Sequence, residues 1–259
     1  MRITVLEPLG VELTRLRPAE LGDAEIGVLA GLLAEHGFAV LPGQDLDDRG
    51  FTRFLGRFGE LVFTAGETPV PGHPDLNLVT NAGRSEPPRS VFHVDTSYVR
   101  EPPAYTALRA VTVPERGGQT LFTDQYRAFD TLPGELRARL AGRTVTHRVT
   151  GVDPGGAQES EAEHPLFRRH PITGRTSLYL SSPQRCPAIS GLDDEEAAEV
   201  IRFLYAHSTA EAGTYRHTWS PGDLVMWDNG CVLHRADHSD VVGTRTLHRG
   251  MVAAYRGTP

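Results

Sequence analysis

The hydrophobic and polar positions along the chain change their pattern at about residue 75. Before this point, apolar residues recur at helical spacing over 18–36 and 48–58, with a short apolar run at 38–41 between them. This spacing predicts two amphipathic helices that flank one strand. We therefore expect a mainly helical N-terminal part at about 18–60.

Beyond residue 75, short β-rich runs alternate with Gly, Pro, Asn and Asp. The predicted strands are 76–80, 91–95, 105–113, 119–123, 144–149, 176–181, 215–219, 223–227, 231–234 and 246–254. Two further helices are expected at 133–141 and 194–207. Many short strands with frequent turns are typical of a β-sandwich or barrel. Because no repeat or linker is found, we expect a single domain over 1–259.

Two stretches, 64–75 and 151–165, lack a regular apolar pattern. Loops of this length in a compact domain are usually functional or mobile. We therefore treat 64–89 and 151–165 as candidate lids over a site.

Composition excludes several classes of protein. The net charge of −7 argues against a general nucleic-acid binder. All 26 basic residues are arginine, so neither a lysine Schiff base nor the phosphate-binding lysine of a P-loop is present. We therefore expect no nucleic-acid partner and no chemistry that depends on a lysine.

The cysteines and the apolar runs bear on the compartment. Cys186 and Cys231 are too few for a disulfide framework or a cysteine-built zinc site, and we expect Cys231 to be a buried, unreactive thiol. No apolar run reaches the roughly 18 residues that a membrane helix needs. The first residues lack the apolar core of a signal peptide. These features predict a cytoplasmic protein with no membrane partner.

A candidate metal site is formed by His93, Asp95 and the distant His234. In an extended strand alternate side chains share a face, so His93 and Asp95 would point the same way while Val94 points away. Two imidazoles and one carboxylate leave open positions on a metal, as in non-heme Fe(II) oxygenases. A plain His–Asp hydrogen bond would explain the first two residues equally well. The third ligand makes the set more specific.

The last predicted strand carries two arginines. Arg245, Leu247 and Arg249 share one face by the same period of two, and inward arginines would require anions as partners. The alternative places Thr246 and His248 inward and leaves the arginines in solvent. Spacing alone leaves both arrangements open.

Together these motifs resemble the taurine dioxygenase / TfdA family of Fe(II)- and 2-oxoglutarate-dependent dioxygenases. The resemblance runs from about residue 20 to the C-terminus. The matching segments are Phe92-His93-Val94-Asp95-Thr96-Ser97-Tyr98, Gly117-Gly118-Gln119-Thr120, Met226-Trp227-Asp228-Asn229, His234 and Thr246-Leu247-His248-Arg249. Their combination is much more specific than any one of them.

The resemblance implies roles for individual residues. His93, Asp95 and His234 would hold Fe(II). Arg249, helped by the hydroxyl of Thr120, would bind the distal carboxylate of 2-oxoglutarate. Arg245 would lie near the end of the keto acid that chelates the metal. A planar, permanently charged guanidinium suits such carboxylates.

The resemblance also implies a fold and a reaction. The fold would be mainly β with flanking α-helices, built on a double-stranded β-helix (jelly-roll) core. The reaction would hydroxylate, or otherwise oxidise, an unactivated C–H bond with O2 and release succinate and CO2. Related halogenases lack the carboxylate ligand, and because this chain keeps Asp95, we expect hydroxylation, desaturation or cyclisation instead.

The substrate is expected to be a small anionic or amino-acid-like molecule. Candidate substrate-binding residues are Arg89, Asn81, Tyr98 and Ser182. Taurine dioxygenases carry a histidine in the first lid, whereas here no histidine precedes His73 in that stretch, which argues against taurine itself.

Two rival functions stay open at this point. One is a non-heme iron oxidase that needs no keto acid, and the other is a non-catalytic jelly-roll protein that binds a ligand. Catabolic and biosynthetic roles are not separated by the sequence, and neither is a monomer from a homo-oligomer.

Overall fold

The computed structural model describes residues 1–83, 90–156 and 158–253. In chain order its strands are β1 (Arg2–Val5), β2 (Val11–Thr14), β3 (Phe38–Leu41), β4 (Leu61–Val62), β5 (Pro69–Val70), β6 (His73–Thr80), β7 (Tyr105–Thr112), β8 (Thr120–Asp124), β9 (Thr144–Arg148), β10 (Glu161–Pro165), β11 (Phe167–Arg169), β12 (Thr176–Leu178), β13 (Ala188–Ile189), β14 (Thr214–His217), β15 (Leu224–Asp228), β16 (Val232–Ala236) and β17 (Thr246–Val252). Its helices are α1 (Asp23–His36), α2 (Asp48–Leu55), α3 (Gln125–Asp130), α4 (Gly134–Leu140) and α5 (Asp194–Ser208).

Two sheets carry the residues that matter for function. The larger runs β1-β2-β3-β15-β7-β17-β6-β5, with β4 paired to β17, and the smaller runs β14-β8-β16. Neighbouring strands in the larger sheet are antiparallel except β2 and β3, which are parallel. The remaining strands form the sheets β10-β9-β13 and β11-β12. The predicted mainly β architecture with flanking helices is confirmed.

Aromatic side chains join the two functional sheets. Phe38 on β3 stacks on Phe122 of β8 with ring centroids 4.4 Å apart. Trp227 on β15 meets the same Phe122 ring edge-on at 5.5 Å. All three side chains are fully buried, and each contributes about 2–3 kcal/mol through burial of its apolar surface. These contacts fix how the two sheets face each other.

Helices α1 and α2 cover the outer side of the larger sheet, as their apolar spacing predicted. Ile26, Leu29 and Leu33 of α1 are buried together with Phe51 and Phe54 of α2 in one cluster. Helix α2 begins after Asp47, whose carboxylate accepts the backbone N–H of Gly50 at 2.6 Å. Helix α2 also contacts the outer face of β17, since Nδ1 of His248 lies 2.6 Å from Oδ1 of Asp48, the first residue of α2.

Several boundaries differ from the sequence prediction. Helix α1 begins at Asp23 and not at residue 18, because Pro18–Glu20 form a separate 3-10 turn. The predicted loop 64–75 contains β5 and the start of β6, and the predicted loop 151–165 ends in β10. Strand β5 pairs with the adjacent β6, β6 pairs also with the distant β17, and β10 pairs with β9. Local apolar spacing does not reveal such pairings.

The predicted strand at 91–95 is wrong. His93 forms one isolated bridge with His234, and no ladder continues along this described segment. Directly after Asp95 the chain turns at Thr96, where φ is 47°. None of the helices in the described segments has the length and apolar content needed to span a bilayer.

Strand β9 carries a buried histidine that makes the fold sensitive to acid. Nδ1 of His147 lies 2.8 Å from Oγ of Ser97, and burial lowers the pKa of His147 to about 3 from its ordinary 6.5. Between pH 3 and pH 6.5, His147 is protonated in the unfolded chain but stays unprotonated in the folded chain. Stability is therefore complete above pH 6.5 and falls, by about 1.4 kcal/mol per pH unit for this group, as pH drops toward 3.

We predict that His147→Gln reduces this pH dependence. Denaturant unfolding of the metal-free protein at pH 7.5 and pH 5.5 gives the free energy of unfolding at each pH. The variant should lose less stability between the two pH values than the parent, by about 1–2 kcal/mol. Equal losses in parent and variant would show that His147 is not the responsible group.

Candidate active site

Two imidazoles and one carboxylate meet between the two sheets. His93, Asp95 and His234 offer ligand atoms that all lie within 4.8 Å of one another. Nε2 of His93 is 3.6 Å from Oδ1 of Asp95, and Nε2 of His234 is 3.5 Å from Oδ2 of the same carboxylate. The structure thus brings together the three residues that the sequence predicted as metal ligands.

Backbone hydrogen bonds hold the two histidines side by side. The N–H of His93 donates to the carbonyl of His234 at 3.0 Å, and the N–H of His234 donates back at 3.1 Å. This bridge ties the segment before Asp95 to β16, and the two rings lie 4.4 Å apart. His93 and Asp95 therefore share a side without belonging to a regular strand.

The protonation states suit a divalent metal. Nδ1 of His93 lies 2.8 Å from the carbonyl of Val91, so that an Nδ1–H donated there leaves Nε2 free. Burial lowers the pKa of His234 to about 3, so this ring is neutral at neutral pH. Burial opposes ionisation of Asp95, but the charged guanidinium of Arg249 beside it outweighs burial and holds the pKa of Asp95 well below its usual range. Neutral imidazoles and an ionised carboxylate are what metal binding requires.

A directed chain of buried hydrogen bonds orients Asp95. Nε1 of Trp227 donates to Oδ1 of Asn229 at 3.1 Å, and Nδ2 of Asn229 donates to Oγ1 of Thr106 at 2.9 Å. Thr106 in turn donates to Oδ2 of Asp95 at 2.8 Å. Because each donor has one acceptor, the carboxylate is fixed from the side of the larger sheet. The sequence singled out Trp227 and Asn229 but missed Thr106, which lies in an ordinary β pattern.

We predict that Thr106→Val lowers the affinity for Fe(II) by about 10–100-fold, because the valine keeps the shape of the side chain but cannot hold Asp95. Thr106→Ser restores the donor and should restore most of the affinity. Metal titration of the two variants and the parent measures this. If Thr106→Val matched the parent, the hydrogen bond would have no part in orienting the ligand.

A buried arginine, Arg245, lies directly before β17 in the chain. Arg245 is 2% exposed, and burial lowers its pKa to about 10, so it stays a cation at neutral pH. Its Nε donates to the carbonyl of Gly118 at 2.7 Å, and its Nη2 donates to Oγ1 of Thr120 at 3.2 Å. Within the described ranges no carboxylate lies within 4 Å of this guanidinium. A buried cation of this kind is costly unless an anion meets it.

Thr120 is arranged to donate to an anion. Its Oγ1 accepts from Arg245 and also from Nε1 of Trp219 at 3.1 Å. A hydroxyl has two acceptor lone pairs and one hydrogen, so with both lone pairs engaged the hydrogen of Thr120 points elsewhere. Arg245, Thr120 and Trp219 thus form a compact anion receptor, in which Trp219 is a residue that the sequence did not suggest.

The second arginine lies against the metal ligands. Nη1 of Arg249 is 3.3 Å from Oδ1 of Asp95, and Nη2 is 2.5 Å from Oε2 of Glu67. Burial works against its charge, but Asp95 and Glu67 outweigh it and raise the pKa of Arg249. The resemblance implies that the Thr120 hydroxyl assists Arg249 at a carboxylate of 2-oxoglutarate, whereas in the structure this hydroxyl contacts Arg245. Both arginines face inward, which is the first of the two arrangements that the spacing of the last strand left open.

The substrate-binding candidates fall in different places. Tyr98 is buried, with its ring 5.7 Å from the guanidinium carbon of Arg185. Ser182 lines a cavity of 370 Å³ that His93 also lines. Asn81 is engaged elsewhere, since its Oδ1 accepts the backbone N–H of Arg245 at 2.8 Å. Arg89 lies outside the described residues.

Arg185 is a site residue that the sequence did not suggest. It lines the same cavity, and its Nη1 donates to the carbonyl of Val94, between the two ligands of the first motif, at 2.8 Å. Burial lowers the pKa of Arg185, and its Nε has no hydrogen-bond partner among the described residues. No periodic pattern surrounds Arg185, so only the fold reveals its position.

A second group of ligand-type side chains is built differently. His170, Asp228 and Cys231 also lie within 4.8 Å of one another. Nε2 of His170 is 3.0 Å from Oδ2 of Asp228, while Nδ1 of His170 accepts the backbone N–H of Ile172 at 3.3 Å. Burial raises the pKa of the Cys231 thiol. Both nitrogens of the ring are engaged and the thiol stays protonated, which agrees with the buried, unreactive thiol expected for Cys231.

Comparison with known proteins identifies the relatives of this site. The family model described as "Taurine catabolism dioxygenase TauD, TfdA family" matches residues 3–251. A 2,4-dichlorophenoxyacetate dioxygenase from Cupriavidus pinatubonensis, named as dependent on alpha-ketoglutarate (2-oxoglutarate), is 33% identical over 94% of each chain. A putative sulfonate dioxygenase from Schizosaccharomyces pombe, with the same stated dependence, is 29% identical over 97% of this chain and 68% of its own.

A solved structure agrees over nearly the whole chain. The crystal structure of a putative alpha-ketoglutarate-dependent taurine dioxygenase from Burkholderia xenovorans superposes with a TM-score of 0.86 at 28% identity, covering 98% of this chain and 92% of its own. The expected jelly-roll core is thereby confirmed. The chain belongs to the TauD/TfdA family and is an Fe(II)-, 2-oxoglutarate- and O2-dependent dioxygenase.

Proposed function

We propose that this dioxygenase oxidises an unactivated C–H bond of a small substrate that carries an acidic group, with His93, Asp95 and His234 holding the iron. The observation that supports the proposal is that a metal-ligand set and an anion receptor occur together in the structure. A three-ligand set, in which burial keeps the His234 imidazole neutral, lies between the sheets. A buried arginine–threonine receptor without its own carboxylate lies beside it, since Thr120 stands two positions along β8 from Phe122, the partner of His234.

The receptor formed by Arg245 and Thr120 suits the distal carboxylate of 2-oxoglutarate. This carboxylate lies two methylene groups beyond the keto-acid end that chelates a metal, so its receptor must stand away from the metal ligands. Arg245 contacts none of the three ligands in the hydrogen bonds of the described residues, whereas Arg249 contacts Asp95 directly. We therefore assign the distal carboxylate to Arg245 and Thr120.

Arg249 is then available to the substrate. Its guanidinium is in contact with a metal ligand, so an acidic group bound there would place neighbouring carbon atoms beside the iron. Tyr98 lies close enough for Arg249 to influence its ionisation, and Ser182 faces the cavity beside His93. These residues would hold the substrate in place, which is a large part of what such a protein contributes to catalysis.

Bound iron and 2-oxoglutarate supply the oxidising power, and the chain's own residues supply position and exclusion of water. Gly66 in the first candidate lid packs directly on the backbone of Asp153 in the second, as a Cβ at Gly66 would overlap the carbonyl oxygen of Asp153. The two candidate lids therefore touch at Gly66 and Asp153, directly beside Glu67 in the chain. Enclosure of this kind protects the reaction from water.

The two rival functions fit the site less well. An oxidase that needs no keto acid would leave Arg245 buried without an anion. A non-catalytic ligand-binding protein would have no need of the three ligand side chains or of the Trp227–Asn229–Thr106 chain that orients one of them.

The proposed activity is tested by reconstituting the protein with Fe(II) and measuring succinate release. The substrate panel takes phenoxyacetates and alkanesulfonates, after the names of the relatives, together with amino acids. We expect one class to stimulate succinate release that depends on both iron and 2-oxoglutarate. Oxygen consumption without any need for 2-oxoglutarate would instead establish the oxidase.

A further inference from the structure

The chain supplies a carboxylate of its own beside the arginine assigned to the substrate. Oε2 of Glu67 is 2.5 Å from Nη2 of Arg249, while Nη1 of the same guanidinium faces Asp95 at 3.3 Å. The Glu67 side chain is 26% exposed, against 4% for Asp95. Arg249 thus has one buried acidic neighbour, which is a metal ligand, and one acidic neighbour that solvent or a ligand can reach.

The local structure fixes the position of Glu67. Gly66 adopts a φ of 85°, a conformation that favours glycine, and packs against the backbone of Asp153. The backbone N–H of Glu67 donates to the carbonyl of Thr64 at 3.3 Å, and Oγ1 of Thr64 lies 3.1 Å from Oγ1 of Thr96, the residue after Asp95. The turn that carries Glu67 is therefore attached to the metal-binding segment.

The charges around Arg249 disfavour a purely anionic substrate. Asp95 is assigned to the metal, which offsets its charge, but the carboxylate of Glu67 already lies on Nη2 of Arg249, and an acidic group placed beside it would repel it in a partly desolvated site. A substrate that brings its own positive charge changes this balance. Its acidic group can take a place on Arg249 while its cationic group is accepted by the carboxylate of Glu67.

We propose that Glu67 selects substrates in which an ammonium group lies next to the acidic group, so that the substrate is a small zwitterion of the amino-acid type. This inference rests on the proposed function, since it requires the substrate to bind at Arg249. It assigns Glu67 a part in specificity that its position in an irregular loop did not suggest. The competing explanation is that Glu67 only neutralises Arg249 and never meets the substrate.

The test uses pairs of compounds that differ in one charged group. Each proteinogenic amino acid is compared with the carboxylic acid of the same skeleton that has hydrogen in place of the α-amino group. Binding to the protein loaded with Fe(II) and 2-oxoglutarate is measured anaerobically from the change in its visible spectrum, and succinate release is measured in air. The proteins compared are the parent, Glu67→Gln, and Glu211→Gln as a matched control.

The control removes a carboxylate that also pairs with an arginine but lies on the surface, because Glu211 pairs with Arg216 and its side chain is 74% exposed. In the parent and in the control, at least one amino acid should bind about 10-fold or more tightly than its partner acid, as expected for a charge-assisted hydrogen bond. Glu67→Gln should reduce this preference to about threefold or less, or reverse it, through weaker binding of the amino acid.

Three results would overturn the inference: no amino acid preferred over its partner acid, a preference that survives in Glu67→Gln, or no response to either series. The proposed function fails separately, and earlier, if the parent protein with iron and 2-oxoglutarate shows no keto-acid spectrum. A normal spectrum that Arg245→Met abolishes, without any preference for ammonium compounds, would leave the proposed function standing and reject only the role of Glu67.

Discussion

Replacing Arg245 with methionine should weaken the binding of 2-oxoglutarate to the Fe(II)-loaded protein by about 100-fold or more. The guanidinium is buried, its Nη2 shares Oγ1 of Thr120 as an acceptor with Trp219, and the described residues give it no carboxylate partner. Removing one member of a buried, hydrogen-bonded charge pair typically costs about 2–5 kcal/mol, much of it because the remaining charge is left without a partner. Anaerobic calorimetry of 2-oxoglutarate binding measures the loss.

Two further variants decide between the arginines. Thr120→Val removes one neutral donor and should cost about 10-fold in the same measurement. Arg249→Met should leave 2-oxoglutarate affinity within about threefold of the parent, because its guanidinium contacts Asp95 and Glu67 and not the receptor. A large loss in Arg249→Met with a small loss in Arg245→Met would restore the roles that the family resemblance first implied.

The second large effect is expected from His234→Ala. This variant should lower Fe(II) affinity by more than the roughly 100-fold typical of residues that only orient a ligand, and succinate release should fall with it. Nε2 of His234 and Nε2 of His93 both face the carboxylate of Asp95. Without His234 the iron would keep only His93 and Asp95 as protein ligands. Metal titration with a chelator as competitor gives the affinity.

The control for His234→Ala is His207→Gln, since His207 lies on α5 and hydrogen-bonds to the carbonyl of Ala128 at 3.0 Å. It should bind iron like the parent. The backbone bridge between His93 and His234 survives the alanine substitution, so near-parental thermal unfolding of the metal-free variant is expected. Unchanged iron affinity in a folded His234→Ala would remove this residue from the metal site.

Local chemistry predicted the metal triad, while the reasoning about its backbone was partly wrong. The pattern of His93 and Asp95 suggested a strand, but the residues share a side because a single bridge to His234 and a turn at Thr96 place them there. Period-two spacing predicted that Arg245, Leu247 and Arg249 share a face but left open which face points inward, and the structure buries Arg245 and Leu247. Such patterns report which side a residue faces and not which distant residue it meets.

Long-range contacts account for what the sequence could not predict. Spacing placed the two arginines on one face, but it showed neither that this face points inward nor that Thr120 would contact Arg245, because both depend on how β8 and the segment before β17 approach each other across two sheets. Arg185 lies in a segment without periodicity, the predicted strand at 215–219 gave no reason to place Trp219 in the site, and the isolated Glu67 gave no local signal of its contact with Arg249. Each becomes visible only when the fold brings distant segments together.

The most direct test of the central claim is an anaerobic titration of the metal-free protein with Fe(II) and then with 2-oxoglutarate. If His93, Asp95 and His234 hold iron beside the receptor formed by Arg245 and Thr120, a weak visible charge-transfer band of the chelated keto acid should appear. At a fixed, sub-saturating concentration of 2-oxoglutarate the band should be absent from Arg245→Met. Iron bound by the parent without any band at saturating 2-oxoglutarate would contradict the account.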